Sequence, residues 1–169
     1  MDFTAIDEEG RPWDFTAVTT RNQAIRKLLT GKPRYFIGSP MCTSFSQFNN
    51  INDCKVDPME VQRKMEYGRR HLEFCTKLYN IKWEVGRHFL HEHPASASSW
   101  QEKCVQKLLN KIGVTKVVGD QCRYGLVARG ANGYGPARKS TGFMTNSPCV
   151  ALHLQRRCRN RGGYNVHNH

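Results

Sequence analysis

Pro33-Arg34-Tyr35-Phe36-Ile37-Gly38-Ser39-Pro40-Met41-Cys42-Thr43-Ser44-Phe45-Ser46-Gln47 is the stretch whose reading decides the fold. Its apolar run, Tyr35-Phe36-Ile37, stops at a Gly-Ser-Pro turn, and a cysteine follows in a loop of small hydroxyl residues. An apolar strand that ends abruptly and presents one reactive side chain at its carboxyl end is how open α/β sheets build active sites. Upstream, from about Ala17 to Leu29, the residues Ala17, Arg21, Ala24, Ile25, Leu28 and Leu29 recur at helical spacing. Thr16 is placed to cap that helix, and Gly31 and Pro33 to stop it. Downstream, residues 48–55 are polar and turn-rich, which predicts a mobile loop.

Asp57-Pro58 then opens the longest helix, the Asp as cap and the Pro at the first helical position. Val61, Met65, Leu72, Cys75, Leu78 and Tyr79 form its apolar stripe to about Val85, opposite a charged face of Arg63, Lys64, Arg69, Arg70 and Lys77. A strand follows over His88-Phe89-Leu90-His91-Glu92-His93-Pro94. Ser98 or Ser99 then caps a helix with Trp100, Cys104, Leu108 and Ile112 as its buried positions. Val114 to Val118 reads as a strand, closed by Gln121-Cys122-Arg123. The glycines of Gly130-Ala131-Asn132-Gly133-Tyr134-Gly135 read as a loop, Lys139 to Thr145 as a strand with Thr141, Phe143 and Thr145 on one side, and Pro148 to about Arg157 as a short helix. Strands alternating with helices predict a mostly parallel α/β sheet over residues 1–157, with a basic, histidine-containing tail over 158–169.

The 169 residues suit one domain with a real core. Charge is lopsided: 26 Lys+Arg against 14 Asp+Glu gives +12. From Asp120 onward there are eight basic residues (Arg123, Arg129, Arg138, Lys139, Arg156, Arg157, Arg159, Arg161) and one acid. Such a surplus favours nucleic acid or another polyanion, and it also reads as a solubilising surface. Seven cysteines at no framework spacing read as reduced thiols of a cytoplasmic or nuclear protein, most of them small buried hydrophobes such as Cys75 and Cys104. No apolar run approaches a membrane span.

Two strand ends carry chemistry. In a parallel sheet Cys42 and Glu92 lie at the same edge, where a thiol and a carboxylate can share a pocket. A nearby cation or helix N-terminus would supply the thiolate, and partial burial would let Glu92 hold a proton near neutral pH. Arg123, at a third strand end, is placed to hold an anion or a heterocycle carbonyl. A buried turn cysteine and an exposed strand-end charge are the plainer readings of the same residues.

Gly38-Ser39-Pro40-Met41-Cys42-Thr43-Ser44-Phe45-Ser46 resembles the Pro-Cys loop of the DNA cytosine-C5 methyltransferase family, usually Gly-Gly-Pro-Pro-Cys-Gln-x-Phe-Ser. Glu92-His93-Pro94 falls where that family has Glu-Asn-Val, and Gln121-Cys122-Arg123 is similar to the start of its Gln-x-Arg-x-Arg motif. The runs His71-Leu72-Glu73-Phe74-Cys75, 89–94 and 141–147 resemble methyltransferase-like segments of retroelement-type polyproteins. The resemblance covers roughly residues 2–147. It implies a partial Rossmann-like methyltransferase sheet, with the first, cofactor-binding strand expected before residue 1. It implies that Cys42 attacks C6 of a flipped-out cytosine, that Glu92 binds N3 and the exocyclic amine, and that Arg123 holds the base. Ser39, Pro40, Ser46 and Gln121 become substrate-binding positions, S-adenosylmethionine the cofactor, Asp2 a residue near its adenine, and DNA the partner. The departures are Met41, Thr43, His93-Pro94 and Gly125 in place of the usual proline, glutamine, Asn-Val and second arginine.

Two other readings compete. A non-catalytic nucleic-acid-binding module of a mobile-element polyprotein accounts for the basic C-terminal third and the altered motifs. A thiol enzyme pairing Cys42 with His91 or His93 lacks an orienting third group. Cys149, Cys158, His167 and His169 could in principle hold zinc, but their spacing matches no common finger, so no metal site is assigned.

Overall fold

The computed structural model describes residue 10 and residues 13–45, 57–130 and 133–159. Helix α1 spans Val18–Gly31 and strand β1 Tyr35–Gly38. A 3-10 turn covers Thr43–Phe45, followed by the 27-residue helix α2, Pro58–Glu84. Strand β2 is His88–Pro94, a second 3-10 turn Ser98–Gln101, and helix α3 Lys103–Leu109. Strand β3 is Thr115–Asp120, followed by a 3-10 turn over Gln121–Tyr124. Strands β4 (Val127–Gly130) and β5 (Gly133–Pro136) precede β6 (Ser140–Thr145) and helix α4 (Pro148–Leu154).

The main sheet has the order β1-β2-β6-β3. β1 pairs parallel with β2, and β6 runs antiparallel to both β2 and β3. The sheet is therefore mixed, not mostly parallel: one reversed strand sits between the second and third parallel ones. The carboxyl ends of β1, β2 and β3 still share one edge, because each is parallel to the others. The fold is mixed α/β.

Side chains of β2 alternate strictly between more and less buried positions. Phe89, His91 and His93 face helices α1 to α3, whereas Leu90, Glu92 and Pro94 face the other side. The helical face carries the main core: Phe45, Leu72, Cys75, Tyr79, Phe89, Trp100, Val105, Leu108 and Met144. A second cluster, Trp13, Ala24, Leu28, Phe74 and Leu78, ties α1 to α2. Close approaches here need glycine. A Cβ on Gly38 would run into the Tyr79 hydroxyl, and one on Gly142 into the Trp100 ring. On the other face α4 crosses β3 and β6, with the Leu154 carbonyl against Gly119. Near β1 that face is open, and Ile37 is 61% exposed.

Several local expectations hold. The Asp57 carboxylate caps α2 at the Met59 amide (3.0 Å), with Pro58 at the first helical position. Thr141, Phe143 and Thr145 share one side of β6. Others are corrected. Thr16 does not cap α1: Ala17 is its N-cap residue, and the Thr16 hydroxyl bonds Asp14 instead. Ile112 is 90% exposed, because α3 ends at Leu109 and its buried positions are Val105 and Leu108. The glycine-rich stretch is not a plain loop but the β4–β5 hairpin, since β4 and β5 pair antiparallel. The last helix ends at Leu154, three residues before Arg157. The expected loop over 48–55 lies outside the described residues. Among the described residues no helix is long and apolar enough to cross a membrane.

The buried histidines make stability depend on pH. Burial, followed by the charges of His93 and Lys116, pushes His91 down to about 3, and burial pushes His93 down to about 4. An unfolded histidine binds its proton near pH ~6.5. Between that value and about 4 the unfolded chain therefore holds more protons than the folded one, and stability falls as pH falls. Urea midpoints are expected to drop steadily from pH 7 to pH 5, and a flat profile would contradict this. Gly38→Ala is expected to cost about 1–3 kcal/mol by overpacking against Tyr79, with Tyr79→Phe restoring part of the loss in denaturant melts.

Candidate functional site

The Cys42 loop is fixed from three sides. The first hold is His93. Its Nε2 lies 3.2 Å from the Pro40 carbonyl and its Nδ1 2.6 Å from the Ser99 hydroxyl. A carbonyl only accepts, so Nε2 carries the proton and Nδ1 accepts from Ser99. The second hold is Phe45, 1% exposed, whose ring meets the His93 ring edge-on at 5.9 Å. The third is α2. The Ser44 hydroxyl donates to the Lys64 carbonyl (2.9 Å), and a Cβ on Gly68 would strike Ser44 and Phe45. A turn bond from the Phe45 amide to the Cys42 carbonyl (2.9 Å) closes the loop, leaving Cys42 half-buried as a free thiol.

Glu92 is half-buried on the opposite face of β2 from His93. Its Oε1 is buried and has no hydrogen-bond partner among the described residues. Arg123 lies exposed in the turn after β3. Gln121, the next predicted position, is spent structurally: its side-chain amide donates to the Thr141 hydroxyl (2.9 Å) and its backbone N–H to the Lys139 carbonyl (3.0 Å). Ser39 is exposed and Pro40 buried, the latter as the acceptor for His93. Ser46 and Asp2 lie outside the described residues. The fold thus brings the Cys42 loop, Glu92 and Arg123 to one sheet edge. No hydrogen bond or ion pair joins the three among the described residues.

Both ring nitrogens of His93 are engaged, and the ring is 1% exposed, so it has no free nitrogen for the Cys42 thiol. His91 bonds the Tyr79 hydroxyl at 3.2 Å and packs edge-on against Trp100. These are core histidines, which removes the basis for a Cys–His thiol enzyme. The sequence offered them as neighbours of Glu92 and as candidate partners of Cys42. The strict alternation of β2 was the signal that they point together into the core.

The same edge is strongly basic. Asp120, fully buried at the end of β3, is flanked by Arg138 (3.8 Å) and Arg157 (3.5 Å) and accepts from the Cys158 amide (2.7 Å). The Asp120 amide donates to the Arg156 carbonyl (2.9 Å), which draws residues 156–158 up to this edge. Arg156 lies over the Tyr124 ring. Arg123, Lys139 and Arg159 stand exposed nearby in sequence. Among the described residues no cluster of three metal-ligating side chains occurs.

A small cleft borders the base of the loop, lined by Trp13, Phe15, Phe36, Phe74 and the Gly38-Ser39-Pro40 turn. Its rings pack on one another: Phe15 lies between Trp13 and His71. S-adenosylmethionine has a sulfonium cation and an amino-acid end, and among the described residues no carboxylate lines this cleft or the one adjoining it. The Gly38-Ser39-Pro40 turn leads into a 3-10 turn, not into a helix whose N-terminus could take the amino-acid carboxylate. The described residues therefore do not fit that cofactor as a whole. No protein family, no curated protein and no solved structure matches the chain.

His93→Ala is expected to free the loop. Alkylation of Cys42 by iodoacetamide, followed by mass spectrometry, should be faster than in the unaltered protein under conditions where both are folded. An unchanged rate would mean that Phe45 and Ser44 hold the loop without His93.

Proposed function

We propose that this chain is a cytosine-directed, DNA cytosine-C5 methyltransferase-like domain that acts on nucleic acid through the Cys42 thiol. The observation that carries the reading is the buried, unpartnered Oε1 of Glu92 at the edge that also bears the Cys42 loop and Arg123. A buried carboxylate oxygen without a donor is costly, and a ligand that brings an N–H to it removes the cost. Cytosine protonated at N3 presents that N–H and, beside it, the exocyclic amine. The three parallel strands and the motif resemblance around residues 38–46, 92–94 and 121–123 support the same reading.

The step assigned to these residues is the addition. The Cys42 sulfur forms a bond to C6 of an extruded cytosine. The thiol proton goes to solvent, the C5–C6 π pair shifts to C4–C5 and the C4–N3 π pair to N3, where a proton taken from solvent, held by Glu92, makes C6 electrophilic and leaves a neutral adduct. Extrusion is required because C6 is shielded inside a stacked duplex. Arg123 contacts the base carbonyl or a flanking phosphate. Methyl transfer would need a donor site that the described residues do not complete, so no step is assigned to it.

The basic edge around Asp120 favours a second reading, a nucleic-acid-binding module of mobile-element type in which the thiol is idle. One experiment separates the two. A single-stranded DNA oligomer with one 5-azacytosine, whose C6 is unusually electrophilic, is incubated with the protein and the mass recorded. The proposal predicts a covalent adduct that is absent in Cys42→Ser and about 10²-fold slower to form in Glu92→Gln. No adduct, together with salt-steep binding that Cys42→Ser leaves unchanged, would replace it with the second reading.

A further inference from the structure

Two thiols far apart in the sequence meet at the basic edge. Cys122 lies in the 3-10 turn after β3, and Cys158 follows helix α4. Hydrogen bonds bring the second segment to the first. The Tyr124 hydroxyl donates to the His153 carbonyl (3.0 Å) and accepts from the Arg156 amide (3.2 Å). The Asp120 amide donates to the Arg156 carbonyl (2.9 Å), and the Asp120 carboxylate accepts from the Cys158 amide (2.7 Å). With residues 156–158 held there, the Cys158 side chain reaches that of Cys122, and the two are hydrogen-bonded. Both cysteines are half-buried. Side chains in such contact are within reach of a covalent bond, which cysteines held apart by the backbone are not.

The surroundings decide how the pair reacts. Burial first, then the hydrogen bond and charge of Cys158, then the Asp120 charge push the Cys122 thiol up. A hydrogen bond that raises an acid is one its protonated form makes, so Cys122 donates its S–H and the Cys158 sulfur accepts. Two guanidinium groups flank the one carboxylate here, Arg138 at 3.8 Å and Arg157 at 3.5 Å from Asp120. Arg123 and Arg157 directly adjoin the two cysteines in the chain, and both are exposed. Cations beside a thiol favour its thiolate, and they draw in an anionic reagent. Cys75 is the contrast: it is 8% exposed in the core, and burial pushes it up to about 12.

We infer that Cys122 and Cys158 form a reversible disulfide that fastens residues 156–158 to the end of β3, with an anionic small-molecule disulfide, glutathione disulfide, as the oxidant. The Cys158 thiol gives its proton to solvent, and its sulfur attacks one sulfur of the oxidant. The oxidant's S–S bond breaks, and one glutathione thiolate leaves. Cys122 then gives its proton to solvent and attacks the Cys158 sulfur of the mixed disulfide, releasing the second thiolate. Two S–H bonds of the protein become one S–S bond. The two electrons it loses stay on the two glutathione molecules, which take up two protons from solvent. In the reduced chain hydrogen bonds and ion pairs hold the segment at the edge. The disulfide keeps it there when they open, and with it Arg157 on the edge that bears Arg123. The pair does not depend on the chemistry of Cys42.

The test treats the full chain with glutathione disulfide, alkylates the remaining thiols and maps the peptides without reduction. A peptide pair linked through Cys122 and Cys158 should form, and dithiothreitol should remove it. This readout needs no variant, so it stands whether or not a substitution folds. Cys42→Ser should form the link equally, which keeps the result apart from the fate of the Cys42 chemistry. Cys122→Ser should stop at glutathione on Cys158. Oxidation should raise the Tm of the unaltered protein by at least about 4 °C, because a cross-link that closes a long loop restricts the unfolded chain. Hydrogen exchange at the Cys158 amide should slow at least about tenfold. No linked peptide, links from Cys122 or Cys158 to other cysteines as often as to each other, or a Tm and exchange rate unmoved by oxidation would overturn the inference.

Discussion

One neutral histidine holds the functional edge together. His93 is buried at the end of β2, where it accepts from Ser99 and donates to the Pro40 carbonyl. It thereby joins the strand, the turn that starts the next helical segment, and the loop that carries Cys42. Its neighbours share the load: Phe45 packs on its ring, and His91 stacks beside it at 5.5 Å. Without this contact the loop, which follows a four-residue edge strand, would be left with the burial of Phe45 and the Ser44–Lys64 bond to α2. The cost of burying an imidazole is offset because both of its nitrogens are satisfied, which is the condition for tolerating such a group in a core.

The same residue separates two kinds of chemistry. Because strand side chains alternate, fixing His93 toward the helices fixes Glu92 toward the open face. One position in β2 thus serves structure, and the next is left with an acceptor that no donor among the described residues reaches. A register slip of one residue would bury the carboxylate in the aromatic core and expose the histidine. Asn146 guards against that slip. Its side chain accepts from the Phe89 amide and donates to the Arg87 carbonyl, continuing the ladder between β6 and β2. The glycines at 38, 68 and 142 then let Tyr79, the Cys42 loop and Trp100 approach the backbone closely enough to fill the space.

Much of this was legible before any coordinates. The element order followed from periodicity and from punctuation such as Gly31, Pro33 and Asp57-Pro58. The period-2 pattern placed Thr141, Phe143 and Thr145 on one side of their strand. What the sequence could not reveal was non-local. The insertion of β6 between β2 and β3 is a choice of partner, and partner choice leaves little mark in local pattern. The hairpin over 127–136 was hidden because its glycines read as loop punctuation. Ile112 was misplaced because a helical stripe was extended past the point where Asn110 ends α3. The lone Gly68 inside α2 was the overlooked signal for the site, since glycine in a helix interior commonly marks a close approach. The role of Glu92 rested on motif resemblance, and its missing donor emerged only from the packing around it.

The central claim is that Glu92 and the Cys42 loop receive one cytosine together. Its most direct test is carbon-13 NMR of the protein labelled at glutamate side-chain carboxyls and cysteine β-carbons, titrated with short single strands. A strand containing cytosine should shift the Glu92 carboxyl and the Cys42 β-carbon together, in one saturable event, and a thymine-only strand should leave Glu92 unmoved. If both strands shift only surface glutamates, or if Glu92 and Cys42 respond at different concentrations, the edge does not work as one site and the account fails.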